Sequence, residues 1–237
     1  ADGDDQRAGP LSTELIQRLQ QTVQVQATEA EINNPYSDPV RQEVMVWWES
    51  AARKTEVCAL RFEDELKKRY RLQTFSTDLA AKAEGFTVTH QGRCGNCSGL
   101  TDLAIYLERT DLTTPARQCA RRWGEARVRQ CFEESLGFSP RCAASWTYNA
   151  LNTRHNCKKI CAADYGWLNL MFRRYPGANS DESGTLRPCL QCDEDVSGPG
   201  FRYSAGRTRR NSGIDSAIDR PVGELYPLEH STYFDSN

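Results

Sequence analysis

The sequence contains no long apolar run. No stretch approaches the ~18 residues that a membrane-spanning helix needs, so no span is expected. A charge surplus is also missing: Lys and Arg number 30, Asp and Glu 32, and the net charge is −2. General nucleic-acid binding relies on a basic surface, so it is not expected either. Histidine occurs only three times, at 90, 155 and 230, which confines any imidazole chemistry to those positions. Apolar residues make up 38% of the chain and the mean hydropathy is −0.68, so the core is modest. No internal repeat is visible.

Cysteine is abundant, with 10 residues at 58, 94, 97, 119, 131, 142, 157, 161, 189 and 192. Cross-links reduce the entropy of the unfolded chain and compensate a modest core. Cysteine usage of this kind points to an oxidising, secreted or other extracytoplasmic compartment. A first residue other than Met is the expectation for a mature chain after leader removal.

Helical signals dominate. Ser12 or Thr13 caps a first helix carrying Leu15, Ile16, Leu19 and Val23. Asp38-Pro39 opens a second, which the spacing carries to about Tyr70 through Val40, Val44, Trp47, Trp48, Leu60 and Leu66. The tryptophan pair reads as core. A short helix runs from Thr77 to Glu84, with Gly85 after it. Phe86, Val88 and His90 alternate as a strand, and Leu100, Leu103, Ala104 and Leu107 form a helix face. Further helices start at Thr114-Pro115, Glu125 and Ser139-Pro140, and one carries Cys157 and Cys161 on one face toward Pro176. That i,i+4 pair points at whatever the face meets, so it need not bond to itself. The expected fold is mainly α: a disulfide-stapled multi-helix array with a short β element near 86–90. Residues 1–10 are expected to be a mobile N-terminus, 11–175 the helical disulfide-rich domain, and 176–237 an irregular segment anchored by Cys189 and Cys192.

Two stretches carry candidate chemistry. The first is His90-Gln-Gly-Arg-Cys94-Gly-Asn-Cys97-Ser98. Cys97 or Ser98 reads as the helix N-cap, which places the Cys97 sulfur near N–H groups that favour a thiolate. Gln91-Gly92-x-Cys94-Gly95-x-Cys97 resembles the nucleophile loop of papain-type cysteine proteases over seven residues. That resemblance implies Cys97 as nucleophile, Gln91 in an oxyanion hole and Cys94 in a disulfide. Position 98 is Ser where that family carries an aromatic residue, and neither His155 nor His230 lies in the family's downstream motif. The C-x-x-C also resembles thioredoxins in its order of strand, loop and helix. His90 is the first choice of base, because strand ends fix side-chain direction. The competing reading makes Cys94 and Cys97 both half-cystines, since five disulfides use all ten cysteines. Asn96-Cys97-Ser98 is also a glycosylation sequon.

The second stretch is Gly206-Arg207-Thr208-Arg209-Arg210-Asn211-Ser212-Gly213. Arginine forks bind carboxylate or phosphate, and glycines let backbone N–H groups face an anion. Arg207, Arg209, Arg210, Asn211 and Ser212 are therefore candidate ligand-binding residues. The bland alternative is a solvated loop or one paired with Asp193, Glu194 and Asp195. Two C-x-x-C pairs this far apart do not make a compact zinc ribbon, and no EF-hand loop is present, so no metal or cofactor is expected. Two functions follow. One is a secreted, non-catalytic binding module or assembly subunit that contacts an anionic small molecule or protein partner and is open to self-association. The alternative is an extracellular enzyme using Cys97 on a small anionic substrate.

Overall fold

The computed structural model describes residues 13–26, 31–172, 174–218 and 225–235. The stretch expected to be a mobile N-terminus, 1–10, lies outside them. Helix α1 (Thr13–Gln21) turns Leu15 and Leu19 inward and runs into β1 (Val23–Gln26). Helix α2 (Val40–Glu49) follows, then β2 (Val57–Phe62), β3 (Arg69–Phe75), α3 (Asp78–Ala83) and β4 (Thr87–Gln91). The sheet order is β1-β3-β2-β4; β1 lies parallel to β3, and the other pairs are antiparallel.

The helix expected to reach Tyr70 is thus a short helix followed by a hairpin. Strand β2 is buried on both faces. Cys58 and Leu60 enter the main core, while Val57 and Ala59 join a smaller cluster with Phe75, Phe86 and Val88. A doubly buried strand shows a continuous apolar run, and a short run does not distinguish strand from helix. The acidic turn between β2 and β3 is closed by Asp64, whose carboxylate accepts from the N–H groups of Lys68 and Arg69 at 3.1 and 2.7 Å. The expected short helix and strand are found with their signals. Thr77 caps α3 by accepting from the Ala80 N–H, and β4 includes residues 87–90.

The helical half comprises α4 (Leu100–Glu108), α5 (Thr113–Ala120), α6 (Glu125–Leu136), α7 (Pro140–Asn156), α8 (Lys158–Tyr165), α9 (Trp167–Met171) and α10 (Pro188–Ala205). The fold is mainly α and stapled by five disulfides, as the sequence led one to expect. Cys157 bonds Cys192 and Cys161 bonds Cys189, so the i,i+4 pair does meet a second helix face.

That second helix is the main departure in the C-terminal part. Residues 188–205 are helical despite Gly198-Pro199-Gly200 within them. Two staples and packing against α7 override poor propensity. Gly200 is required there: a Cβ would lie 2.5 Å from the Tyr36 ring, whose hydroxyl donates to the Ser197 carbonyl at 2.7 Å. The main core runs from Leu15 to Tyr233 and includes Ala205 and Ile214, so the C-terminal segment contributes to the core itself.

Candidate functional site

The loop between β4 and α4 joins the two halves of the molecule. Cys94 bonds Cys58 in the sheet, and Cys97 bonds Cys142 in α7. The neighbouring halves of one C-x-x-C therefore pull in different directions. The end of α10 docks on the same loop: the N–H groups of Asn96 and Cys97 donate to the carbonyls of Ser204 and Ala205, each at 2.8 Å. Gly95 and Gly206 sit back to back. A Cβ on either would come within 2.6 Å of the other's backbone nitrogen, and Gly206 has φ +72°.

The structure thus brings together the two stretches singled out in the sequence. Arg207 enters the junction fully buried. Its Nε donates to the Cys97 carbonyl (3.2 Å). Nη1 donates to the Thr89 carbonyl (2.9 Å) and Ser212 Oγ (3.3 Å), and Nη2 to Thr89 Oγ1 (2.7 Å) and the Ser98 carbonyl (3.1 Å). All five guanidinium N–H bonds are used, and no acceptor is a carboxylate. Burial lowers the Arg207 pKa.

Both buried histidines have defined tautomers here. A carbonyl only accepts, so His90 Nδ1–H donates to the Gln91 carbonyl (3.0 Å) and Nε2 accepts from Ser98 Oγ (2.7 Å). Ser98 Oγ in turn accepts from the Gly95 N–H at 2.8 Å. His230 Nε2–H donates to the Ser212 carbonyl (2.7 Å), and Nδ1 accepts from the Tyr233 hydroxyl (2.8 Å). Burial first, and Arg207 second, push the His90 pKa well below its ordinary value and the His230 pKa down to about 4.

This geometry corrects several sequence expectations. Cys97 is fully buried and carries no thiol, so it offers neither nucleophile nor redox thiolate. His90 addresses Ser98 instead of the sulfur. The Gln91 side chain donates to the Lys54 carbonyl at 2.9 Å. The helix N-cap is Gly99, not Cys97 or Ser98. The Asn96 amide faces inward and donates to the Ile32 carbonyl and Ser145 Oγ, both at 3.0 Å, which leaves no room for a glycan. Both C-x-x-C pairs are disulfide-bonded, and among the described residues no three metal-ligating side chains converge.

The arginine stretch is likewise engaged by the chain itself, with Arg209 and Arg210 partly exposed. Arg209 donates to the carbonyls of Asp215 (2.6 Å) and Arg109, and Arg210 pairs with Glu194. Asn211 is buried and donates to the Gln91 and Gly206 carbonyls at 2.6 and 2.7 Å. Ser212 is buried against Arg207. The hydrogen-bonding power assigned to an anion goes into closing the chain on itself.

What the junction leaves outside is a groove. Arg93, one residue before Cys94, reaches an open depression of about 430 Å³ between α2 and the end of α10, lined also by Glu43, Val46, Trp47 and Tyr203. Trp47 and Tyr203 meet edge to face at 5.4 Å, and the Arg93 guanidinium lies 4.3 Å over the Tyr203 ring. The Tyr203 hydroxyl donates to Glu43 Oε2 at 3.1 Å. Trp47 Nε1 donates to Glu56, which holds the indole in place. Val46 is 73% exposed at the rim. Sequence reasoning placed both tryptophans in the core. Adjacent helix positions are set about 100° apart, so the two rings point in different directions, and that signal was available.

Residues 125–228 match a family of unknown function (DUF8771). No curated protein and no solved structure matches the chain. The DUF8771 match runs from α6 beyond the Arg207 stretch and holds both staples between α10 and Cys157 and Cys161. It covers less than half of the chain and excludes the loop and sheet that receive Arg207.

Proposed function

We propose that the chain is a non-catalytic binding module of an oxidising extracytoplasmic compartment, with the groove between α2 and α10 as its partner-contact surface. The observation that carries this reading is the groove's composition. Trp47 and Arg93, both half-buried, pack on the buried Tyr203 ring at the floor of this depression, and Trp, Tyr and Arg are the side chains enriched at interface hot spots. Their rings are held by Glu43 and Glu56, so little side-chain freedom is lost on binding. The partner is a protein or peptide presenting an apolar side chain to Val46 and Trp47 and polar groups to Glu43 and Arg93. The five disulfides support the compartment, since such bonds persist where the medium is oxidising.

The test is selection of binding peptides by the oxidised, full-length protein, counter-selected on Val46→Glu. Val46 is exposed, so the variant should melt within about 0.5 kcal/mol of wild type. The expected result is peptides sharing an apolar anchor that bind wild type and lose at least about tenfold affinity on Val46→Glu. A repertoire that binds both proteins equally would overturn the reading.

A further inference from the structure

A second surface has a different chemistry. Trp167 is 67% exposed, Leu168 61%, Phe172 64% and Met171 49%, all on or beside the short helix α9. The Arg121 guanidinium donates to the carbonyls of Leu170 (2.6 Å) and Met171 (3.5 Å), which ties the turn before α6 to the end of α9. That turn exposes Trp123 at 85%. Five large apolar side chains therefore stand in water on linked elements, although single exposed residues are the norm on monomer surfaces. The α8–α9 region is held to α10 by Cys161–Cys189 and by the Asp164–Arg187 pair, with contacts at 2.9 and 3.0 Å.

The sequence around α9 is mostly basic, although Glu125 stands exposed two residues from Trp123. Between residues 153 and 178 the sequence holds Arg154, Lys158, Lys159, Arg173 and Arg174 against one carboxylate, Asp164, in a chain whose net charge is −2. Asp164 is engaged by Arg187, so it does not offset the cations outside. Arg122, Lys158, Lys159 and Arg174 are exposed. Protein interfaces are depleted in lysine. Tryptophan, phenylalanine and leucine beside lysine and arginine are instead the composition of segments lying in a membrane interface. Among the described residues no helix is long and apolar enough to cross a membrane, so the contact is peripheral.

We propose that the α9 face docks on an anionic lipid surface: Trp167, Leu168 and Phe172 enter the headgroup boundary and the surrounding Arg and Lys residues face the lipid charge. The groove reading does not depend on it.

The test is flotation of the full-length, oxidised protein with vesicles of phosphatidylcholine containing phosphatidylglycerol, against phosphatidylcholine alone, with tryptophan emission as a second readout. The expected result is binding to the anionic vesicles with a blue shift, and weakening as salt rises. Trp167→Ser/Phe172→Ser should lose at least about tenfold in vesicle affinity, and Lys158→Glu/Lys159→Glu likewise, with melting temperatures unchanged. Absence of binding at low salt would overturn the proposal, as would binding without a blue shift or binding untouched by the apolar variant. A lipid-free dimer that dissociates in Trp167→Ser/Phe172→Ser would assign the face to self-association instead.

Discussion

His230 shows how one buried side chain sets a pH dependence. Its neutral ring donates to the Ser212 carbonyl and accepts from Tyr233, and charging it would place a cation beside Arg207. In the folded chain its pKa falls to about 4 from an ordinary 6.5. Between those values the unfolded chain binds the extra proton, so the His230 contribution is full above 6.5 and is lost as pH falls through about 4. Asp102 acts in the opposite sense. Burial lifts its pKa to about 6, so its contribution is full below 3.8 and is lost as pH rises through about 6. His230→Gln retains a donor for the Ser212 carbonyl and removes the titration. At pH 7 the variant should be the less stable protein. Its deficit should shrink steadily between pH 6.5 and 4, when both are unfolded in urea at each pH. A deficit constant over that range would contradict the neutral assignment.

At the scale of elements, α10 depends on its neighbours more than on its residues. It contains Pro199 between two glycines, yet it remains one helix along α7. Cys161→Ala/Cys189→Ala removes a bridge closing 28 residues, worth about 3–4 kcal/mol of chain entropy. The expected outcome is a lowered urea midpoint, a loss of helical circular dichroism, and faster hydrogen exchange in 188–205 than in α7. An α10 still fully protected would show that packing alone suffices.

Legibility in the sequence divides along the same physical line. Helix α4, the short helix α3 with Gly85 after it, strand β4 and the pair Cys157 and Cys161 aimed at another element were legible, because each rests on a local pattern. The hairpin of β2 and β3 was not, because Val57-Cys-Ala-Leu is buried on both faces and has no alternation to show. Helix α10 was not, because disulfides formed at a distance override its composition. For the candidate site, the sequence singled out two polar stretches, and the structure packs them against each other. Their meaning lay in each other: nothing local to Arg207 says that its acceptors are Thr89, Cys97 and Ser98, over a hundred residues away. The groove was missed because Tyr203 and Arg93 meet Trp47 only in three dimensions.

For the whole molecule, the expected consequence of the junction is that sheet and helices unfold as one cooperative unit. Arg207 bonds to β4, to the loop after it and to Ser212 in the final segment, while Cys94 and Cys97 fasten that loop to the sheet and to α7. Arg207→Ala strands several buried carbonyls and hydroxyls, each costing about 1–3 kcal/mol when left unpaired. The expected loss therefore exceeds about 3 kcal/mol. Fluorescence and circular dichroism should still report one coincident urea transition, at a lower midpoint. Two separated transitions would mean that the sheet and the helical array are independent.

The distance between Arg207 and its acceptors also has a consequence for biosynthesis. A ribosome completes Thr89, Cys97 and Ser98 more than a hundred residues before it adds the guanidinium that satisfies them. Cys58 meets Cys94 and Cys97 together, long before Cys142 emerges. A nascent chain that reaches Cys192 but not Arg207 therefore holds all ten of these cysteines and lacks the residue that locks the loop carrying two of them. A chain cut short before Arg207 would leave the carbonyls of Thr89, Cys97 and Ser98 without the donor that satisfies them in the complete junction.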